Sequence, residues 1–184
     1  MGCRTANGWD INGFGQLKDG RGNICPVTII MPTLAMMAKE KSIDLIMNGP
    51  EDGTGDKDYN LIEGFIDILD KKIHEAKDML IERFDWICSQ NPDSAKFMYE
   101  NGLMAGYVPE EGIRSALKHG TLAIGQIGLA ETLQILIGED HTTEKGMELA
   151  KRIEELFKKR CAEFKEEYKL NFGVYYTPRH SWEA

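Results

Sequence analysis

The thiols, and the polar side chains set among glycines, are where this sequence could do chemistry. Cys3 lies in Met1-Gly2-Cys3-Arg4-Thr5, beside an arginine and away from any apolar stripe. A neighbouring cation favours the thiolate, so a cysteine placed this way can be reactive; the plainer reading is a terminal cysteine with no role. A second group is Gly20-Arg21-Gly22-Asn23-Ile24-Cys25-Pro26, which leads directly into an apolar run. A side chain at the mouth of a buried strand is held in place yet can stay accessible. Asn23 there offers donors and an acceptor to a polar substrate, or simply makes a turn. Cys25 is either a second thiol of this group or a small residue opening the strand. His119, ahead of Gly120-Thr121, could serve as a base or a phosphate contact, against the plain alternative of a structural histidine with its hydrogen bonds satisfied. Cys88 and Cys161 fall at or beside apolar helical stripes and read as small buried hydrophobes.

The common signatures are missing. No GxxxxGKS/T or GxGxxG phosphate loop, HExxH or GxSxG occurs, and the cysteines at 3, 25, 88 and 161 form no CxxC pair, so a zinc knuckle of local spacing is excluded. Only generic anion binding is left, by amides of Ile124-Gly125-Gln126-Ile127-Gly128 ahead of a helix. Arg114, Lys118 and the basic residues of 151–160 read as solvated helix faces.

The elements that must position these groups come next. Through residue 26, glycines at 2, 8, 13, 15, 20 and 22 alternate with Asn7, Asp10, Asn12, Asp19 and Asn23. That composition predicts a long loop with a hairpin around Asp19-Gly20, and such loops are either functional or disordered. Val27-Thr28-Ile29-Ile30-Met31 is a continuous apolar run, expected to be a central strand buried on both faces and stopped by Pro32. Thr33 is expected to cap a helix from Leu34 to about Met47, followed by a polar linker over 49–58. Apolar residues from Leu61 to Ile87 recur every three or four positions, predicting a long amphipathic helix that ends before Pro92. Asp93 or Ser94 then caps a short helix, a loop runs from Gly102 to Gly112, and another short helix covers Ile113 to Lys118. A strand over His119–Gly125, a helix over Ile127–Ile137, a long helix started by Thr142 or Thr143 and a strand over Asn171–Tyr176 complete the order. Strands alternating with helices favour an α/β architecture with parallel pairing. Three strands do not complete a sheet, so the chain is expected to be part of a larger fold.

Composition narrows the function classes. The 184 residues suffice for one domain or a substantial piece of one, with 42% hydrophobic residues and a net charge of −8. An acidic chain is poorly suited to hold nucleic acid or an anionic membrane through its overall field. No run of 18 apolar residues and no apolar signal region occur, so a cytoplasmic location with reduced thiols is expected.

Three segments taken together resemble the anaerobic, class III ribonucleoside-triphosphate reductases, a family of glycyl-radical enzymes. They are Met1-Gly2-Cys3-Arg4-Thr5, the stretch from Gly20-Arg21-Gly22-Asn23-Ile24 into Val27–Pro32, and the stretch from Ser115 through His119-Gly120-Thr121 to Glu131. Asn171-Phe172 through Pro178 resembles the family's following strand, so the likeness extends over essentially the whole chain. It implies a ten-stranded α/β barrel with a central finger loop and long amphipathic helices outside. Residues 1–184 would then be a fragment of the catalytic barrel domain, with 1–26 as finger loop and strand mouth and 27–184 as strands and helices.

The resemblance also implies a chemistry. Cys3 matches the finger-loop cysteine that becomes a thiyl radical, takes the ribose 3′ hydrogen and enables loss of the 2′-hydroxyl as water. Asn23 matches an asparagine that hydrogen-bonds substrate or formate, and His119, Gly120 and Thr121 fall on the substrate side. The family's radical is a glycyl radical installed by an iron–sulfur, S-adenosylmethionine activase, with formate or a thioredoxin-like dithiol protein as reductant and a homodimer as the intact enzyme. No metal or other cofactor is expected to be bound directly by this segment.

Two departures stand out. Cys25 either marks a lineage that uses a dithiol donor or is a silent substitution, and a Cys3–Cys25 pair would need Cα atoms within about 7 Å. No radical-glycine loop, four-cysteine zinc cluster or nucleotide-sensing domain is found in these residues, so the chain alone is expected to be inactive. The alternative is a non-catalytic folded remnant or interaction piece. A formate-lyase type of glycyl-radical enzyme fits less well, because the lyases place adjacent cysteines at the loop tip.

Overall fold

Pro32 does not end the first strand as expected; it begins a helix. In the computed structural model, which describes residues 8–48 and 60–176, strand β1 (Asn23–Ile30) passes without a loop into helix α1 (Met31–Asn48). A proline in the first helical turn forfeits only an N–H that has no intrahelical partner. Thr33 therefore lies inside α1 and is not its cap.

The 3.6-residue period holds where it is longest. Helix α2 (Leu61–Cys88) buries Phe65, Leu69, Ile73, Ala76, Leu80 and Phe84 along one stripe, and the Asn60 side chain caps it by accepting from the Ile62 amide at 3.0 Å. A 3-10 turn (Pro92–Ala95), capped by Asn91 and not by Asp93 or Ser94, leads into helix α3 (Lys96–Glu100). A second 3-10 turn (Pro109–Glu111) and helix α4 (Arg114–Leu117) follow, then strand β2 (Thr121–Ile127). Helix α5 (Leu129–Ile137), helix α6 (Glu144–Tyr168) and strand β3 (Asn171–Tyr176) complete the order. Thr143 is the α6 cap, its hydroxyl accepting from the Gly146 amide at 3.0 Å.

The three strands form a parallel sheet in the order β1-β2-β3. α2 packs on β1 and β2, and α6 on β3. Leu122, Ile124, Phe172, Ile24 and Ile29 meet the α2 stripe and the Ile153, Phe157 and Phe164 stripe of α6 in one apolar cluster. Burying such side chains stabilises by about 2 kcal/mol each. β1 is an edge strand of the described sheet and not buried on both faces, with Ile30 60% exposed. Among the described residues no helix is long and apolar enough to cross a membrane.

Candidate active site at the mouth of the sheet

The first strand carries an extra residue. Ile24 is opposite Leu122 while Val27 is opposite Ile124, so three steps on β1 match two on β2. This bulge contains Cys25, whose φ of 42° is left-handed, and Pro26, which has no N–H to donate. Its effect is to put Ile24, Val27 and Ile29 on the helix-covered side while Asn23 and Thr28 share the opposite side with Thr121 and Gly125. Cys25 itself is half-buried and packs against the apolar cluster.

Asn23 is paired in register with Thr121, so two of the candidate residues are neighbours across the β1–β2 ladder. The Thr121 amide donates to the Gly22 carbonyl at 2.9 Å, joining the glycine-rich segment to the start of β2. Arg21, Asn23, Met104, Leu117 and Gly120 are among the residues lining a small cavity of ≈70 Å³ at this mouth. His119 is 4% exposed, and its Nδ1 lies 2.7 Å from Asp10 Oδ2, with the Phe14 ring stacked on it at 3.8 Å. The glycine-rich segment closes an isolated antiparallel bridge between Asp10 and Gly15 and turns again at Asp19-Gly20, where the Arg21 amide donates to the Lys18 carbonyl at 3.3 Å, but no paired strands flank that turn to make the expected hairpin.

Asp10 is the centre of this polar network. Its Oδ1 accepts from the Asn12 amide at 3.0 Å and Asn171 Nδ2 at 2.7 Å; its Oδ2 accepts from the Phe14 amide at 3.0 Å as well as meeting His119. Burial alone would raise the carboxyl, but the hydrogen bonds from Asn171, His119, Asn12 and Phe14 outweigh it and hold the pKa at about 2. An ionised carboxylate only accepts, so His119 Nδ1 is the donor. Asn171 also accepts from the Ile11 amide at 3.0 Å, tying the segment to the first residue of β3.

On the open side of the sheet Tyr175 reaches from β3 across Gly125 of β2, and its hydroxyl hydrogen-bonds Thr28 of β1. A Cβ at Gly125 would collide with that ring, which is why the central strand has a glycine here. Burial raises the Cys88 thiol and pushes Cys161 up to about 12, so both behave as the apolar residues expected from the sequence. Among the described residues no group of three or more His, Cys, Asp or Glu side chains is placed to hold a metal ion.

The structure thus brings Asn23 and Thr121 together across the ladder, with Gly120 beside Asn23 at the small cavity and His119 next to Gly120 in the chain, whereas Cys25 sits in the bulge and packs against the apolar cluster. Cys3 lies outside the described residues. Sequence reasoning missed Asp10, Asn171, Arg21 and Tyr175. Asp10 and Asn171 are 161 positions apart, and each alone looks like a turn or strand-end residue. The only local signal was the Asp10-x-Asn12 turn, closed by the Asn12 amide on Asp10.

Comparison with known proteins places this geometry among relatives. The family model for anaerobic ribonucleoside-triphosphate reductase matches residues 1–182. The Escherichia coli protein named anaerobic ribonucleoside-triphosphate reductase is 26% identical over 184 residues, and the Salmonella typhimurium protein of that name is 25% identical. Each match covers 97% of this chain and 23% of the relative, so the chain spans under a quarter of their length. The crystal structure of the anaerobic ribonucleotide reductase from Thermotoga maritima, with citrate in its active site, superposes with a TM-score of 0.58 at 18% identity. That match covers 85% of this chain and 25% of the other and shows a shared mixed α/β fold.

Proposed function

Because this chain belongs to the anaerobic ribonucleoside-triphosphate reductase family, we propose that it supplies the finger loop and several strands of a ten-stranded catalytic barrel that reduces ribonucleoside triphosphates to deoxyribonucleoside triphosphates. The observation that carries this reading is the meeting of Asn23, Gly120 and Thr121 around the mouth where the segment following Cys3 is tied down.

In this reading the Cys3 sulfur, as a thiyl radical, takes the ribose 3′ hydrogen atom and becomes a thiol. The radical left on the sugar then allows the 2′-hydroxyl to depart as water. Completing the reduction takes two electrons, from formate or from a dithiol protein, and two protons, one leaving in the water and one ending on the 2′ carbon, and the hydrogen returns from Cys3 to the 3′ carbon. Asn23 orients the substrate or formate through its amide. His119, Gly120 and Thr121 stand on the substrate side, and Cys25 is the second thiol where a dithiol donor is used. These residues bind, orient and exclude water, which is the protein's share of radical chemistry. The glycyl radical and its iron–sulfur, S-adenosylmethionine activase belong to parts of the system outside these residues, as does the second subunit of a homodimer. A cytoplasmic location follows from the same reading.

The test is Cys3→Ser in the full-length polypeptide that carries this sequence. Deoxynucleotide formation should fall below detection while nucleotide binding persists. Turnover retained in that variant would reject the radical role of Cys3.

A further inference from the structure

Helix α2 carries a second stripe beside its buried one. Lys72, Glu75, Met79, Glu82, Arg83 and Trp86 recur at helical spacing on the flank opposite the one that Asp70 and Lys77 turn toward α6. Met79 is 43% exposed and Trp86 65%. Singly exposed apolar residues are ordinary, but these two share one helix face and border grooves that meet at Met79. One groove, of ≈340 Å³, is lined by Met79, Glu82, Arg83 and Trp86. The other, of ≈320 Å³, has Lys72, Glu75 and Met79 on one wall and Ile29 and Leu34 on the other.

The chemistry of the stripe is symmetric about Met79. Lys72 and Trp86 are each seven residues from it, and Glu75 and Arg83 each four. A second copy of α2 laid antiparallel, with a two-fold axis at Met79, sets every residue against the one equally far on the other side of Met79. Glu75 then faces the second copy's Arg83 as an ion pair, and Lys72 faces the second copy's Trp86 as a cation over an indole. Each contact is made twice, as an isologous interface requires. The Trp86 ring of each copy enters the groove of the other that Lys72, Ile29 and Leu34 line. Within one chain Lys72 and Glu75 hold each other at 2.6 Å, while Arg83 makes no ion pair among the described residues. From Lys72 to Trp86 the stripe runs for about 21 Å of helix axis, the length over which a helix pair packs. Each copy has a net charge of −8, so the overall field opposes association and the local pairs must supply it. A covering segment of unrelated sequence has no need of a stripe that complements its own reversal.

We infer that this flank of α2 is where a second copy of the chain docks, antiparallel about Met79. The inference rests on the reading above only in that it gives the homodimer named there its face. Association is measured without turnover, so the two fail separately: loss of activity in Cys3→Ser says nothing of the pairing, and loss of pairing says nothing of Cys3.

The test uses the full-length polypeptide and sedimentation velocity over a dilution series. Glu75→Arg sets like charges opposite each other twice and should weaken self-association by about tenfold or more, as should Arg83→Glu. The double variant, Glu75→Arg with Arg83→Glu, re-forms both pairs and should return to within about threefold of the wild type. That rescue is expected only of a helix that pairs with itself. A flank covered by another segment of the polypeptide, or by an unrelated protein, gives two losses that add, and a flank that faces water gives no change. Met79→Cys supplies a second measure. Diamide should link two copies through residue 79, identified by peptide mapping, because Cα atoms facing each other across the axis fall within the reach of about 7 Å that a disulfide allows. Failure of either the rescue or the link overturns the inference. Should a charge variant fail to fold, the link through residue 79 decides alone.

Discussion

At the scale of single residues, Asp10 holds a charge that acid can remove. Its carboxyl sits at about 2 in the folded protein against an ordinary value of 3.8. A depressed carboxylate contributes stability that is fully present above its unfolded value and is lost as the pH falls toward the folded one. The window is therefore from about pH 4 down to about pH 2, and the contribution is about 2 kcal/mol. Urea midpoints taken from pH 6 to pH 2 should fall more steeply for the wild-type protein than for Asp10→Asn across that window. Parallel slopes would mean that this carboxyl is not the one released. The role was hidden in the sequence because Asp10 sits among glycines and asparagines, where a turn residue is the default. What makes it more is two partners supplied by the starts of distant strands, His119 and Asn171. His119 was legible by type, and the structure gives it the satisfied hydrogen bond that the plainer of its two readings anticipated.

At the scale of elements, α2 divides its work between two faces. Leu69 is fully buried, whereas its neighbour Asp70 faces α6 and takes a two-pronged contact from Arg160, Nε to Oδ1 and Nη2 to Oδ2, both at 2.7 Å. The guanidinium holds the Asp70 carboxyl below the usual range. Leu69→Ala should cost about 3 kcal/mol through lost burial and the cavity left behind. Asp70→Asn should cost only about 1 kcal/mol, because a partly exposed pair is screened by solvent even when bidentate. Equilibrium denaturation of both variants checks the ratio; equal losses would mean that the helix pair depends on charge as much as on packing. The long helices were legible because their apolar period repeats for many turns. The first strand was misjudged for a definite reason: Val27, Thr28 and Ile29 do alternate, but Ile30 is an apolar residue on the exposed side and Met31 already belongs to α1, so the run looks apolar on both faces. The helix after it was misplaced because proline was read as a stop when it also suits a first helical turn.

At the scale of the whole molecule, the described sheet has open edges at β1 and β3. Along β1 an apolar groove of ≈320 Å³ runs beside Val27, Ile29, Leu34 and Met79. The number and order of strands were not legible in the sequence pattern alone, because strand neighbours are set by packing between segments far apart in the chain. What the sequence did carry was the direction of pairing, parallel throughout, and the sites of the crossovers. The packing can be read through one thiol. Cys161 is buried in α6 and pushed up to about 12 by that burial, so its alkylation by iodoacetamide at pH 8 should proceed only through unfolding and accelerate with urea. Rapid labelling in native buffer would show that α6 lifts from the core without global unfolding.

The doubled position at Cys25 and Pro26 has a consequence for how this chain can vary. A pleated strand keeps phase by parity, and removing either residue would turn Asn23 toward the helices and bring Ile24 out to the opposite side. The count of residues between Asn23 and Thr28 is therefore compulsory, and the left-handed φ at Cys25 limits which residues can fill the spare place. Cys25 thus fills a slot that the geometry of the strand demands.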